Sequence, residues 1–501
     1  MTRSGRGLSS NVALLCDMAH GGPFLHMSDP KETRDGDQHD HDQQTDGGEK
    51  GEKGKDMNTP VGFWNRELNG VRKEVFKKFI ITTLILVVAI LGILSLYWAA
   101  LFRVEQNMSA LVVWVVDFDG QVAPYTDVTP IVGPQIVSAA EALIAPSGAV
   151  GWGSMPASAF DYDPMAVRKA VYDQKCWAAI VVNANATALL QSAVQTGNAS
   201  YDPLGIAQTI YTEARDDQTY HDYILPQLNQ FQTSITSKFG EMWARQVFQQ
   251  AANNATILTN IGNAPQAISP AIGFSIYSLR PFLPPTATPS VTIGLIYLII
   301  ISFFSFNFYL PIHSKFITPQ GHPPMHFYQL IIWRWIATIT AYFFLSFFYS
   351  IISLAFQIPF SAPPLSDIMV ANPTTKYGKG SFPVYWMLNW VGMGALGLAC
   401  ENVAMVIGQP WTAFWLIFWV ITNVSTSFYA IELAPHFYYW GYAWPLHNIV
   451  EASRTILFDL HSRIGLNFGV LFAWCAVNTL LFPAACYFMR WQSKKQEKKE
   501  E

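Results

Sequence analysis

Six apolar runs long enough to cross a bilayer punctuate this chain, and their spacing is lopsided. The first, Phe79 to Phe102, carries no charge and can span the hydrocarbon with some tilt. A mostly polar stretch, 103–290, follows it. Five more runs then crowd together at about 291–310, 331–356, 383–407, 411–433 and 467–489. The pattern predicts an α-helical polytopic membrane protein: six transmembrane helices, with a large α/β exoplasmic domain between the first and second.

The flanking charges orient this layout. Residues 1–60 hold alternating His and Asp (Asp37 to Asp42) and a Gly/Glu/Lys stretch (Gly47 to Lys55), with little to bury. They are expected to form a disordered cytosolic tail. In 61–78, Phe63, Trp64, Leu68, Val71, Val75 and Phe76 share a broad helical face, and Arg66, Arg72, Lys73, Lys77 and Lys78 add positive charge. That combination predicts an interfacial amphipathic helix on a leaflet, and its charge places the start of the first span in the cytosol. Six crossings then return the chain to a basic cytosolic tail, 491–501, so that both termini are cytosolic. Lys376 and Lys379, in the outside loop 358–382, run against this orientation.

Within 103–290 the pattern changes from membrane-like to mixed α/β. Ala110 to Asp117 is a nearly continuous β-branched run that ends in Asp117-Phe118-Asp119-Gly120, as a buried strand and turn would. Pro164 to Cys176 suits a helix with Asp163 as its N-cap. Trp177 to Val182 is a second buried strand, and 217–256 is a long helical stretch leading back to the membrane. Asn-x-Ser/Thr triplets at Asn185, Asn198 and Asn254 are candidate N-glycosylation sites in this domain. Those at Asn107 and Asn423 lie too near or inside the bilayer.

Composition narrows the function. Half the chain is hydrophobic and 13% is charged, against about a quarter in water-soluble domains. A net charge of −4 offers no footprint for nucleic acid. Five scattered cysteines, only Cys176 of them in the outside domain, exclude a disulfide framework there. No Cys/His zinc spacing, phosphate loop, GxSxG or HExxH occurs, so no cofactor or catalytic apparatus is expected. Asp117 and Asp119 are an acidic pair, but successive acids after a strand are common turn formers.

Three features inside the apolar half carry polar chemistry. Glu401 follows a strip of small residues, Gly392 to Ala399, and Arg334 lies near the same end of its own span; a Glu401–Arg334 ion pair between neighbouring helices is expected. The stretch 434–465 combines an aromatic block, Pro435 to Pro445, with an amphipathic helical stretch, and predicts a re-entrant segment in the outer leaflet. There Glu451 and Arg454 can pair, and His447 and Glu451 have a metal-compatible spacing without a third ligand.

The layout resembles the type-two permease subunits of ABC exporters. More closely, the chain is similar to the fungal nitrosoguanidine-resistance membrane proteins, relatives of the bacterial phage-infection-protein group. The resemblance covers about 75–490 and rests on Val115 to Gly120, Trp177 to Thr187 and Pro435 to Asp459. It implies a plasma-membrane protein linked to resistance against toxic compounds, with no catalytic residues to carry over. The partners expected are the lipid bilayer, a second copy as a homodimer, and a separate ATPase if transport is ATP-driven. A non-transporting membrane organiser, acting on lipid distribution or other transporters, is the alternative; an exoplasmic enzyme or receptor is the third reading.

Overall fold

The computed structural model describes residues 60–144, 148–317, 322–360, 377–408 and 411–500. The expected tail therefore lies outside the described residues, Pro60 excepted, as does most of loop 358–382, including Lys376. Within 60–74, the rings of Phe63 and Trp64 meet edge-on at 5.1 Å, and the Arg72 guanidinium lies 5.4 and 5.3 Å from their centroids. Helix α1 runs over Asn69–Ala89, starting inside the stretch expected to be interfacial.

The α/β domain follows. Its strands are β1 (Val112–Asp117), β2 (Gly151–Pro156), β3 (Ala178–Val182), β4 (Ala207–Tyr211) and β5 (Phe274–Ser278). They form one sheet in the order β2-β1-β3-β4-β5, parallel except for the antiparallel β3–β4 pair. Helices α2 (Val132–Glu141), α3 (Pro164–Tyr172), α4 (Ala186–Thr196) and α5 (Leu225–Asn253) cover it. Both faces of the central strands are buried, which is why β1 and β3 read as continuous apolar runs. Val113, Val115, Ala178, Ile180 and Val182 pack with α2, α4 and α5. Val116, Ala179 and Val181 pack on the other side with Val167 and Val171 of α3.

Connectivity explains that division. The chain steps from β1 outward to β2 through α2, then back across β1 to β3 through α3. Right-handed crossovers in opposite directions place their helices on opposite faces. The carboxyl ends of β1 and β3 thus flank a crevice of the kind that often holds ligands in such sheets. Here a clasp closes it. The fully buried Asp119 accepts hydrogen bonds from Gly133 N (3.1 Å), Thr187 N (2.9 Å) and Thr187 Oγ1 (2.5 Å). Thr187 Oγ1 in turn accepts from Ile131 N and Val132 N, so one carboxylate ties the first turns of α2 and α4 to the end of β1. Asp117 accepts from Asp119 N at 2.8 Å, and a Cβ at Gly133 would run into its carboxylate.

Besides α1, the apolar part of the chain comprises α7 to α12, after a short helix α6 (Ala255–Asn263). These are α7 (Ile296–Ser314), α8 (Phe327–Ala355), α9 (Ser381–Ile407), α10 (Thr412–Val424), α11 (Pro445–Phe458) and α12 (Ile464–Glu500). Helix α9 is the hub, packed by α7, α8, α10, α11 and α12. Its glycines set the approach distances. A Cβ at Gly397 would meet Tyr342 and Ser302, one at Gly394 would lie 3.1 Å from Cys475 Sγ, and one at Gly392 would lie 2.7 Å from Ile449 Cδ1. Close helix packing in lipid relies on such small residues.

Among the described residues, five helices are long and apolar enough to cross a membrane, and α10 is shorter. The run 411–433 was expected to form one full span. Instead α10 stops at Val424, giving a helix of about 20 Å against roughly 30 Å of hydrocarbon. The stop is local chemistry. Ser425, Thr426 and Ser427 donate back to the carbonyls of Thr422 and Asn423, satisfying groups that a continued helix would use.

Burial raises the Asp117 carboxyl to about 6, only partly offset by its hydrogen bond from Asp119 N. A folded-state value above the unfolded one means that stability from this group is greatest at low pH and falls as pH rises from about 4 to about 6. Asp117→Asn should therefore stabilise the full chain in detergent at pH 7 by about 1 kcal/mol after solvent screening, read as a higher melting temperature, with little change near pH 4. Destabilisation at pH 7 would show instead that the charged carboxylate is favourably held.

Candidate functional site

Helix α8 carries a polar stripe. Arg334, Thr338, Tyr342, Ser346 and Ser350 step by four residues, Ser353 lies one turn further, and all are buried. At the helical rise this stripe is ~28 Å long, close to the ~30 Å of a hydrocarbon core. Tyr385, Asn389, Gly397 and Glu401 of α9 meet it, so the two helices share a polar seam running the depth of the bundle.

Its contacts are specific. Arg334 Nη2 lies 2.6 Å from Glu401 Oε1, both side chains about 4% exposed or less, and Thr338 Oγ1 donates to Glu401 Oε2 at 3.3 Å. Arg334 also faces the Phe482 ring of α12 at 5.5 Å and donates to Cys486 Sγ at 3.6 Å. Next along, Tyr342 OH donates to Ser302 O at 3.4 Å, over the space that Gly397 leaves open. Asn389 Nδ2 donates to Ser350 Oγ at 2.9 Å. At the far end Ser353 Oγ meets Ser290 Oγ at 2.9 Å and Tyr385 OH at 3.5 Å. Asn402, beside Glu401, donates to Asn478 O of α12 at 2.9 Å. Among the described residues, the buried Asn389 Oδ1, Asn402 Oδ1 and Arg334 Nε meet no hydrogen-bond partner.

The structure therefore brings Glu401 and Arg334 together, as the sequence led one to expect. It treats the re-entrant residues differently. Segment 434–465 folds as a 3-10 stretch, His436–Ala443, and the buried helix α11. Arg454 does reach Glu451, at 3.4 Å, but its closer partner is Asp216 of the α/β domain, at 3.1 Å. His447 Nδ1 lies 3.1 Å from Thr426 O, so its ring is engaged with backbone rather than paired with Glu451 in a metal pocket.

Asp216 belongs to a joint that the sequence did not reveal. Arg280, just past β5, holds Asp459 by Nη2 to Oδ2 (2.9 Å) and by Nε to its backbone oxygen (3.0 Å). Tyr172 OH donates to the same oxygen at 3.1 Å, and the Arg280 guanidinium lies 4.9 Å from the Tyr172 ring. Ala430 N donates to Thr219 Oγ1 and Asn107 Nδ2 to Leu433 O, each at 3.1 Å. The partners are 179 to 326 residues apart in sequence, beyond any local pattern. A left-handed φ of 55° at Asp459 is the nearest thing to a local signal, since Asp tolerates that conformation.

The remaining candidates fall into place individually. Asn198 and Asn254 are exposed, with Ser200 and Thr256 exposed beside them. Asn185 precedes Thr187, which is buried in the Asp119 clasp. Asn423 caps α11 by accepting from Leu446 N at 3.1 Å. Cys176, Cys400, Cys475 and Cys486 are free thiols, and burial pushes Cys176 up to about 12, leaving it unreactive. Glu213, Asp217 and His221 cluster at the surface, with His221 Nδ1 lying 3.1 Å from Asp217 Oδ1.

A helical bundle with apolar helices of bilayer length, and a five-stranded α/β domain inserted after the first of them, defines a multi-pass membrane protein. The chain belongs to the DUF3533 family, described as proteins of unknown function, which it matches over residues 82–480. It is 28% identical over 454 residues to an uncharacterized endoplasmic reticulum membrane protein of Saccharomyces cerevisiae, covering 84% of this chain and 82% of the relative. No solved structure matches it.

Two predictions follow from the geometry. Glu401→Leu alone should destabilise the detergent-solubilised chain by about 3–5 kcal/mol, because Arg334 is left buried without its partner. Combined Arg334→Met and Glu401→Leu should recover most of that loss in thermal unfolding; equal losses in the single and double variants would show that the pair is not the unit that matters. In a eukaryotic host, Asn198→Gln and Asn254→Gln should each remove one glycan by gel mobility, whereas Asn185→Gln should leave mobility unchanged. A shift with Asn185→Gln would contradict the buried position of Thr187.

Proposed function

We infer that this is a permease-like protein that exports toxic hydrophobic or alkylating compounds, or alters their access to the membrane. The observation that carries the reading is the α8–α9 seam. Lipid supplies no hydrophobic drive for helix association, and apolar side chains would pack these helices without desolvating charge. Buried ionisable groups in a membrane bundle mark substrate or ion pathways by default. A polar track across the bundle, with Gly397 leaving space beside Tyr342 and Asn389 Oδ1 open, suits a route that hydrates or opens as helices shift.

The reading includes six crossings, with α10 and the turns after it as the short one, and cytosolic termini. The α/β domain then lies on the exoplasmic side, which is the lumen in an endomembrane. The relative's name supports the endoplasmic reticulum, whereas the resemblance to nitrosoguanidine-resistance proteins supports the plasma membrane; the sidedness is the same in both. No phosphate loop occurs in the sequence, so ATP-driven export would need a separate ATPase on cytosolic residues such as 312–317 and 322–330. A homodimer would supply the second six-span half of a permease. No catalytic step is assigned to the chain.

The second reading, a membrane organiser acting on lipids, draws on the outward face of α1, where Ile80, Leu84 and Val88 are exposed. The deciding measurement is intracellular accumulation of a labelled alkylating agent in cells lacking the protein, cells expressing it, and cells expressing Glu401→Gln at equal level. Export predicts accumulation several-fold faster without the protein, a partial to complete defect with Glu401→Gln, and loss of the difference on ATP depletion if an ATPase drives it. Equal accumulation in all three lines would overturn export and favour the organiser.

A further inference from the structure

Two cavities of opposite character meet at Ile407, at the end of the bundle away from the α/β domain. The first, about 680 Å³, is a groove between the first span and α10 whose walls include Leu84, Val88, Ile93, Trp411, Phe414 and Phe418, with no polar group among the described residues but the tryptophan N–H groups. The second, about 610 Å³, lies among the ends of α7, α9, α10 and α12. It presents Asn307, Thr412, Gln492, Ser493 and Lys495, and among the described residues Lys495 is the only charged side chain in its lining.

We propose that these two cavities form one binding site for an anionic phospholipid, head group in the polar cavity and acyl chain along the apolar groove. Length, polarity and charge each agree. From Leu84 to Ile93 the groove runs ~14 Å at the helical rise, about the hydrocarbon depth of a single leaflet. In a bilayer its walls must be covered by hydrocarbon, because water has no partner there. The Thr412 and Ser493 hydroxyls donate to Gly408 O and Met489 O, which leaves the Asn307 amide and the second N–H of Gln492 as donors for phosphate oxygens, and Lys495 supplies the positive charge. The Lys495 Nζ lies 5.1 Å from the Trp491 ring centroid, an aromatic–basic pairing suited to head-group depth. On the topology proposed above this is the cytosolic leaflet, where anionic lipids concentrate. Neither cavity belongs to the α8–α9 seam, so the site stands whether or not the protein transports anything.

The test uses the full chain reconstituted in phosphatidylcholine vesicles containing trace phosphatidylserine or phosphatidylcholine with a photoactivatable acyl chain, followed by peptide mapping. Both leaflets carry the probe, so the result does not depend on orientation. Phosphatidylserine adducts should concentrate several-fold, relative to phosphatidylcholine, on peptides covering 84–93 and 411–418. Lys495→Glu should abolish that excess and leave phosphatidylcholine labelling unchanged, which also shows that the variant is folded. Val88→Trp, filling the groove, should reduce adducts on 411–418 while Lys495 is intact. Equal labelling by the two lipids, or an excess that survives Lys495→Glu, would overturn the site. Displacement of the excess by inorganic phosphate would reassign it to a free anion and overturn the lipid as occupant.

Discussion

A polar group withdrawn from water must meet a partner, and in hydrocarbon there is no solvent to relax the demand. That constraint orders the membrane half of this protein. Arg334 can be buried only where Glu401 faces it, at 2.6 Å, and Glu401 only where Thr338 fills its second oxygen. Once those contacts fix one end of α8 against α9, residues at successive fourth positions must face α9 or α7 as well. Tyr342, Ser346 and Ser350 do so. The glycines of α9 then act on distance rather than rotation. Gly397 admits the Tyr342 ring, and Gly392 and Gly394 let α11 and α12 close on the same helix.

The same requirement holds the α/β domain onto the bundle. Asp216 and Arg454 are each about 4% exposed or less, as is Arg280, with Asp459 at 8%. Four charges are thus taken out of water at one joint, each satisfied by the other structure. Burial pushes the Asp216 carboxyl upward and Arg454 opposes it, so removing either partner strands the other. Arg454 and Asp459 both lie in or just after α11, which itself packs on α9. Helix α11 is therefore the element through which a change in the domain could reach the seam: its far side touches Asp216 and Arg280, its near side the glycines of α9.

What could be read in the sequence follows from how local each signal is. The strand Val112–Asp117, the strand Ala178–Val182 and the Asp163-capped helix α3 were legible because continuous β-branched runs and an N-cap are written in neighbouring residues. The strands β2, β4 and β5 were not. Gly151-Trp-Gly-Ser-Met-Pro156 has neither an apolar run nor alternation, and it becomes a strand because β1 offers it an edge. The Glu401–Arg334 pair was legible because charges in apolar runs are few and must pair. Arg454 was legible only in part: it pairs with Glu451, its neighbour in sequence, but Asp216, 238 residues away, is nearer in space. The full fifth span failed because hydrophobicity continues past Val424, while the hydroxyls of 425–427 already close the helix.

Stability alone does not account for the seam. Replacing a buried ion pair by apolar residues of similar volume is often neutral or stabilising by about 1–4 kcal/mol, and an unpartnered buried acceptor costs about 1–3 kcal/mol. The seam carries both penalties, in Arg334–Glu401 and in Asn389 Oδ1. A bundle selected only to pack would shed them. The clasp at Asp119 shows the contrast within one chain. There every oxygen of the carboxylate is used, the crevice at the sheet's switch point is shut, and no acceptor is left over. A fully satisfied network fixes a structure; one with a buried acceptor left open between two helices leaves room for something to come and go. The seam is of the second kind, and function is best sought there rather than in the acidic pair that first draws the eye.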